Sequence, residues 1–288
     1  MLKDIIKLLR ISNWLKNVFV FVPLVFSVHL FDINYFADVF LAAIAFSITS
    51  SIVYIINDLA DINKDLLHPV KKFRPLAAGK ISISFAYTTI VALTILLIPF
   101  ILSLEYYFSL TLLGYFILNV LYSFLFKQVV ILDIMCIAAG FMLRVIGGAL
   151  VIDVFISNWL ILTTLFLSLF LAIMKRRSEV VLRTNDNSTR IVLKDYSPDF
   201  INQISSITAA GVIICYALYT VSERTVSVFG TENLVFTTIF FIFGILRYMF
   251  IVYTQNKGEN TIEIIFKDLP MIINALLYLF SILLFIYY

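Results

Sequence analysis

Asp58, Asp61 and Asp65 stand at i, i+3 and i+7 in the stretch Asn57-Asp58-Leu59-Ala60-Asp61-Ile62-Asn63-Lys64-Asp65. On a continuous helix that spacing aims three carboxylates the same way. Carboxylates gathered so closely repel one another unless a cation lies between them. Magnesium takes one or two carboxylates together with phosphate oxygens and water, so the spacing predicts an Mg2+ site shared with a phosphorylated ligand. The ordinary alternative is a solvated acidic helix end. The cluster follows directly on a long apolar run, where unpaired charge is costly, and this favours the metal site.

Cations follow. His68-Pro69-Val70-Lys71-Lys72-Phe73-Arg74-Pro75 places Lys71 and Arg74 between two prolines that fix the backbone. Cations beside a metal site suit phosphate, and a guanidinium can grip it with two parallel hydrogen bonds. Lys72 and Lys80 read as ordinary membrane-flanking charge, and His68 as structural. Arg144 falls inside an apolar run that begins near Asp133, so it needs a cavity or a partner. Buried pairing and substrate binding are both open for it; Arg247 leans to pairing. Lys175, Arg176 and Glu179 fit one helical turn and could present one face to an anionic ligand, or simply mark a membrane interface. Asp195 to Asp199 has acidic spacing, but Pro198 interrupts the turn. The chain contains no Walker loop, GxGxxG, catalytic triad or Cys/His metal spacing.

The elements that must position these groups follow from composition. Hydrophobic residues make up 62% of the 288 and charged ones 14%, with a mean hydropathy of +1.03. A soluble domain of this size cannot hide so much apolar surface. Apolar runs near 17–31, 37–57, 84–104, 107–126, 129–152, 157–174, 203–222, 233–254 and 270–287 predict nine spanning helices. The expected fold is therefore all-α, a polytopic membrane bundle. Of the 21 Lys and Arg residues, 18 fall in the N-terminal segment and alternate loops, leaving Arg224 in the opposite loops and Arg144 and Arg247 inside helices. That bias predicts a cytoplasmic N-terminus and an outer C-terminus. A single membrane-embedded domain over 1–288 is expected, with cytoplasmic loops near 58–83, 175–202 and 255–269. Cys136 and Cys215 lie in apolar runs and read as small core residues. The first apolar run lacks a small-residue cleavage site.

Taken together, these motifs resemble those of UbiA-type prenyltransferases and, more narrowly, of the polyprenyl-phosphate phosphoribosyltransferase branch. The first acidic motif of that superfamily, NDxxDxxxD, matches Asn57 to Asp65. Branch-specific likeness extends into Lys71-Lys72-Phe73-Arg74-Pro75-Leu76-Ala77-Ala78-Gly79 and covers Arg10-Ile11-Ser12-Asn13-Trp14-Leu15-Lys16-Asn17. It continues through Tyr122-Ser123, Lys127, Asp133, Gly140 to Arg144, Lys175 to Glu179, Tyr196-Ser197, Arg247-Tyr248 and Glu263 to Pro270. Ile11 and Asn13 depart from the branch's Pro and Gln, and Leu66 from its Arg. Relatives that prenylate aromatics carry a second aspartate-rich motif where this chain has Lys175-Arg176-Arg177-Ser178-Glu179.

The resemblance implies Mg2+-dependent transfer of 5-phosphoribosyl from phosphoribosyl pyrophosphate to a polyprenyl phosphate, with release of pyrophosphate. It implies a prokaryotic cytoplasmic membrane, with the active site facing the cytoplasm. Asp58, Asp61 and Asp65 are the expected metal-holding catalytic residues. Expected substrate contacts are Lys16, Asn17, Asn57, Lys71, Arg74, Tyr122, Lys127, Arg144, Lys175, Arg176, Glu179 and Tyr196. The partners are the two substrates and the bilayer, with no nucleic acid; assembly into a homo-oligomer is left open. One alternative is a prenyl diphosphate donor alkylating an aromatic acceptor. Another, from a different class, is a lipid-phosphate transporter, which an odd helix number and one-sided acids disfavour.

Overall fold

The computed structural model describes residues 2–67, 70–181, 191–255, 264 and 267–287. His68, Pro69, Arg183, Arg190, Lys257 and Glu263 lie outside the described residues. Every regular element among the described residues is helical. The helices are α1 (Leu2–Leu9), α2 (Val22–Val25), α3 (Ile33–Ala60), α4 (Ile62–Leu66), α5 (Ile83–Ser103), α6 (Tyr106–Phe124) and α7 (Leu132–Leu150). They continue as α8 (Asn158–Val181), α9 (Pro198–Val221), α10 (Glu223–Phe229), α11 (Thr238–Gln255) and α12 (Leu269–Tyr287).

Eight helical stretches are long and apolar enough to cross a membrane. A ninth is reached if Leu2–Leu9 and Ile11–Val25, bent by 41° at Arg10, count as one broken span. The break has a local cause: Arg10 takes left-handed backbone angles, φ 51° and ψ 47°, and the chain continues as a 3-10 helix over Ile11–Phe21. The first span was expected near 17–31. Instead the helical segment begins at the N-terminus and is 3-10 where an α-helix was predicted. α8 also departs from the sequence reading. It runs on to Val181, so Lys175 to Glu179 are helical and not the opening of a loop.

The described chain forms two compact units, residues 1–127 with 143–155, and residues 128–142 with 156–288. In the first, α3 is the central element. Its 28 residues span about 42 Å, more than a hydrocarbon core of about 30 Å, so its polar end reaches the interfacial region. Ala42, Ala45, Ser47, Ser50 and Ser51 keep its faces narrow, and Phe46 packs edge-on against Phe108 and Tyr115. Close approach also fixes Gly148. A Cβ there would stand 2.0 Å from the Val20 carbonyl oxygen, so only glycine lets α7 meet the 3-10 helix.

The second unit is built on α8 and α9, with α11 and α12 beside them. Phe170, Met174, Val212, Tyr248 and Val252 form its buried centre. Ser197 caps α9 by accepting the Phe200 N–H, and Pro198 occupies the first turn. Proline is tolerated there because its missing N–H has no helical partner to lose. Pro198 thus begins a helix where it was read as interrupting a turn.

Candidate active site

The polar side of α3 builds the site. Ser47, Ser51, Tyr54 and Asp58 follow one another at spacings of four, three and four, which makes a single stripe along the helix. Trp14 donates its indole N–H to Ser51 Oγ at 3.0 Å, and the Asn17 amide donates to Ser47 Oγ at 2.7 Å. Three residues per 3-10 turn put Trp14, Asn17 and Val20 on one edge, which is why all three meet α3 or α7.

At the end of the stripe the helix stops. Asp61 leaves the helical region with φ −101° and ψ 7°, and α4 then carries Asp65. The three aspartates therefore do not share one continuous helix, as the spacing alone suggested. Asp58 and Asp65, each 3% exposed, come together through Arg74. The Arg74 Nη1 donates to Asp58 Oδ1 at 3.1 Å and to Asp65 Oδ2 at 2.6 Å. Asp61 turns to Lys127, whose ammonium donates to Oδ2 at 2.8 Å, while Lys64 lies 3.9 Å from Oδ1. Among the described residues, no three His, Cys, Asp or Glu side chains cluster closely enough to hold a metal by themselves.

Arg74 is held by its turn. Its carbonyl accepts the Ala78 N–H at 2.8 Å, and the Pro75 carbonyl accepts the Lys80 N–H at 2.9 Å. Gly79 has φ +66°, the left-handed conformation that glycine adopts without strain. Lys71, half-buried, sits in the short 3-10 turn Lys71–Phe73 just before. Asn57 lies beside the Asp58 carboxyl. Tyr122, on the last turn of α6, is half-buried and precedes Lys127 in a short 3-10 turn.

Arg10 completes the cluster. Its Nη2 forms an ion pair with Asp58 Oδ1, and its guanidinium stacks 4.6 Å from the centre of the Tyr54 ring. The sequence reading quoted Arg10 within a motif but took only Lys16 and Asn17 as contacts. What signalled its role was its place at the head of the segment that holds Lys16 and Asn17.

Deeper along the stripe lies a second polar cluster of the same unit. Arg144, 5% exposed, donates from Nε to Asn17 Oδ1 at 2.7 Å and from Nη2 to the Tyr115 hydroxyl at 2.7 Å. Its guanidinium also lies 4.6 Å from the Tyr115 ring centre. The Asn17 oxygen, the Tyr115 hydroxyl and the Tyr115 ring face thus help orient the buried Arg144 cation.

The second unit holds the remaining expected contacts. Arg176, 1% exposed, donates to Asp133 Oδ2 and to Glu179 Oε2, both at 2.6 Å. The Tyr196 hydroxyl donates to Asp133 Oδ1 at 2.7 Å and accepts the Ile131 N–H at 2.8 Å. Burial, and then donation to Asp133, push the Tyr196 hydroxyl above the usual tyrosine range. Here the guanidinium is enclosed by two carboxylates, the arrangement of a structural tie between α7, α8 and the segment before α9. Arg176, expected to share one face with Lys175 and Glu179, is here paired with Asp133 and Glu179. Lys175, half-buried, is its neighbour on α8. Arg247 pairs with Asp268 at 2.8 Å, and Asp268 accepts the Met271 N–H, capping α12. Arg247 is thus paired, as its sequence position suggested.

The first-unit cluster has two properties useful in chemistry on phosphates. Carboxylate oxygens at the end of a buried helix can take a divalent cation, and three cationic side chains around them can take phosphate oxygens.

Known proteins resemble the chain in sequence and in fold. The model of the UbiA prenyltransferase family matches residues 18–267. A decaprenyl-phosphate phosphoribosyltransferase from Corynebacterium glutamicum is 31% identical over 98% of this chain and 86% of its own length. Another enzyme of that name, from Mycolicibacterium smegmatis, is 30% identical over 93% of this chain and 87% of its own. A UbiA homologue from Archaeoglobus fulgidus, solved with GPP and Mg2+, shares the fold with a TM-score of 0.73 at 20% identity, covering 98% of this chain and 99% of that one.

Proposed function

Since the chain belongs to the UbiA prenyltransferase family and is an integral membrane transferase, we propose that it moves 5-phosphoribosyl from phosphoribosyl pyrophosphate to a polyprenyl phosphate. The carrying observation is the Asp58–Arg74–Asp65 bridge, where two buried carboxylates share one cationic nitrogen. A position that two carboxylate oxygens already offer to a positive charge suits Mg2+, which needs only one or two carboxylates when phosphate oxygens and water supply the rest. Asp58 and Asp65 would hold the ion, with Asp61 as the neighbouring carboxylate. Bound Mg2+ supplies neutralisation of the pyrophosphate as it departs.

The chain's own residues do the rest. Arg74, Lys71 and Lys127 bind the donor phosphates and so hold the ribosyl carbon C1 in line with the acceptor. An acceptor phosphate oxygen forms a bond to C1 while the bond from C1 to the pyrophosphate oxygen breaks, its electron pair leaving with pyrophosphate. The acceptor is already an anion, so no side chain has to remove a proton. Fixed guanidinium and ammonium groups stabilise the charge that gathers on the leaving group.

The names and coverage of the relatives support these substrates. The distribution of Lys and Arg supports a cytoplasmic N-terminus and a site open to the cytoplasm, where a soluble sugar diphosphate is present. The full chain, purified in detergent with Mg2+, labelled phosphoribosyl pyrophosphate and a polyprenyl phosphate, should give a labelled lipid and free pyrophosphate. Product only from a prenyl diphosphate and an aromatic acceptor would replace this reading with that of an aromatic prenyltransferase.

A further inference from the structure

In the first unit, α1 (Leu2–Leu9) has two exposed edges of opposite character. At about 100° per residue, Leu2 and Ile6 fall together on one edge, and Lys3 and Lys7 fall together on the next. Leu2 is 73% exposed and Ile6 43%, and both lysines are exposed. The opposite side is anchored: Leu8 is fully buried and packs with Ile55, Leu76, Ile81 and Ala86. Ile55 lies in the last two turns of α3 and Ala86 in the first turn of α5. α1 therefore rests at the level where one spanning helix ends and another begins. Lys80, exposed beside Ile81, adds a third cation there, and Asp4 is the one acid on α1.

Two further observations keep α1 out of the hydrocarbon. The chain bends by 41° at Arg10, so α1 leaves the line of the 3-10 helix that carries Lys16 and Asn17. That 3-10 helix has 11 residues, and α2 after it has 4. At rises of about 2.0 Å and about 1.5 Å per residue they cover about 28 Å, close to a hydrocarbon core of about 30 Å. The crossing does not require α1, and carrying Lys3 and Lys7 into it would be costly. An apolar edge beside a cationic one suits the boundary where acyl chains give way to headgroups. The complement of the cations at that boundary is an anionic headgroup, whose attraction grows with each lysine near the surface.

We infer that α1 is an interfacial seat for anionic phospholipid, with Lys3 and Lys7 on the headgroup phosphates and Leu2 and Ile6 at the start of the acyl region. The seat stands whatever group the enzyme transfers. It also has a mechanical consequence. The Ser51 hydroxyl donates to the Leu9 carbonyl at 2.8 Å, and Arg10 follows directly, so lipid held on α1 steadies the turn that carries Arg10 to Asp58.

The test reads α1 directly, without turnover. A nitroxide is attached at Ile6→Cys in the full chain carrying Cys136→Ala and Cys215→Ala, held in neutral detergent. Electron paramagnetic resonance follows the label's mobility as phosphatidylglycerol, phosphatidylcholine or inorganic phosphate is added. Phosphatidylglycerol should slow the label at concentrations where phosphatidylcholine does not. Each lysine near an anionic surface is worth about fivefold, so the half-point should rise about 25-fold in Lys3→Gln/Lys7→Gln and stay close to wild type in Lys3→Arg/Lys7→Arg. The lipid-free spectra should superimpose, because both lysines face away from the packed side. A lipid-free spectrum altered in the glutamine variant alone would make the lysines structural and overturn the assignment. An equal response to the two lipids overturns it, as does an unmoved half-point in the glutamine variant. A label already slowed and indifferent to both lipids would mean that protein, such as a second copy of this chain, covers the face, which also overturns it. Inorganic phosphate acting as strongly as phosphatidylglycerol would make this a free-anion site and overturn the lipid assignment.

Discussion

Lys127 reaches Asp61 at 2.8 Å across 66 residues of sequence, tying the end of α6 to the break between α3 and α4. This contact separates Asp61 from Asp58 and Asp65, which share Arg74 instead. The aspartates thus divide into a buried, guanidinium-bridged pair and a more open third member held by an ammonium.

That division predicts unequal effects. Asp58→Asn and Asp65→Asn should each lower kcat/KM by about a thousandfold, the scale on which one group stabilising a leaving charge matters. Asp61→Asn should abolish measurable turnover only if its carboxylate also reaches the ion; a loss of about tenfold would make it a supporting residue. Steady-state kinetics on proteins of equal helix content separate the two.

Lys127→Gln removes both a donor-phosphate contact and the tie on Asp61. KM for phosphoribosyl pyrophosphate should rise by about tenfold while the melting temperature changes little, since a partly exposed pair is worth about 1 kcal/mol or less. A large fall in melting temperature with unchanged KM would show that the contact is structural only.

Arg176→Met leaves Asp133 buried without its cation, and breaking such a pair costs about 3–5 kcal/mol. Thermal unfolding in detergent should therefore drop sharply. Arg176→Lys should recover only part of the loss, because an ammonium cannot reproduce the planar fork that serves Asp133 and Glu179 together. A normal melting temperature with selectively raised donor KM would return Arg176 to substrate binding.

Asp268 offers a pH test. Hydrogen bonding from Arg247, opposed by a smaller effect of burial and helped by the Met271 N–H, holds its carboxyl below the ordinary value of 3.8. A depressed carboxylate contributes stability above the unfolded value and loses it as pH falls through the folded one. Comparing wild type with Asp268→Asn between about pH 5 and pH 2 should show a gap in melting temperature that closes toward the acid end. A constant gap would rule out the ion pair as its source.

Much of the fold was legible because lipid demands long apolar runs, and such runs are local. The metal-site candidates were legible for a similar reason: Asp58, Asp61 and Asp65 are near one another in the chain. The break at Asp61 was not, since nothing in Ala60-Asp61-Ile62 forbids continuing the helix. Neither was the 3-10 geometry after Arg10, which depends on Trp14, Asn17 and Val20 meeting α3 and α7. The partners of Arg74, Arg10, Arg144 and Arg176 lie 16, 48, 127 and 43 residues away, beyond any local periodicity. Arg176 shows the cost of that blindness, for its spacing with Lys175 and Glu179 suggested a face for an anionic ligand or a membrane interface and gave no sign of Asp133.

The most direct measurement is divalent-cation and donor binding to the full chain in detergent, with Mn2+ as a paramagnetic stand-in for Mg2+ and electron paramagnetic resonance as the readout. Wild type should bind Mn2+ together with phosphoribosyl pyrophosphate, and Asp58→Asn should weaken the joint binding by about a hundredfold or more, the loss of one ionic ligand at a buried site. Joint binding at wild-type strength in both Asp58→Asn and Asp65→Asn would contradict the placement of the metal and the donor at the end of α3.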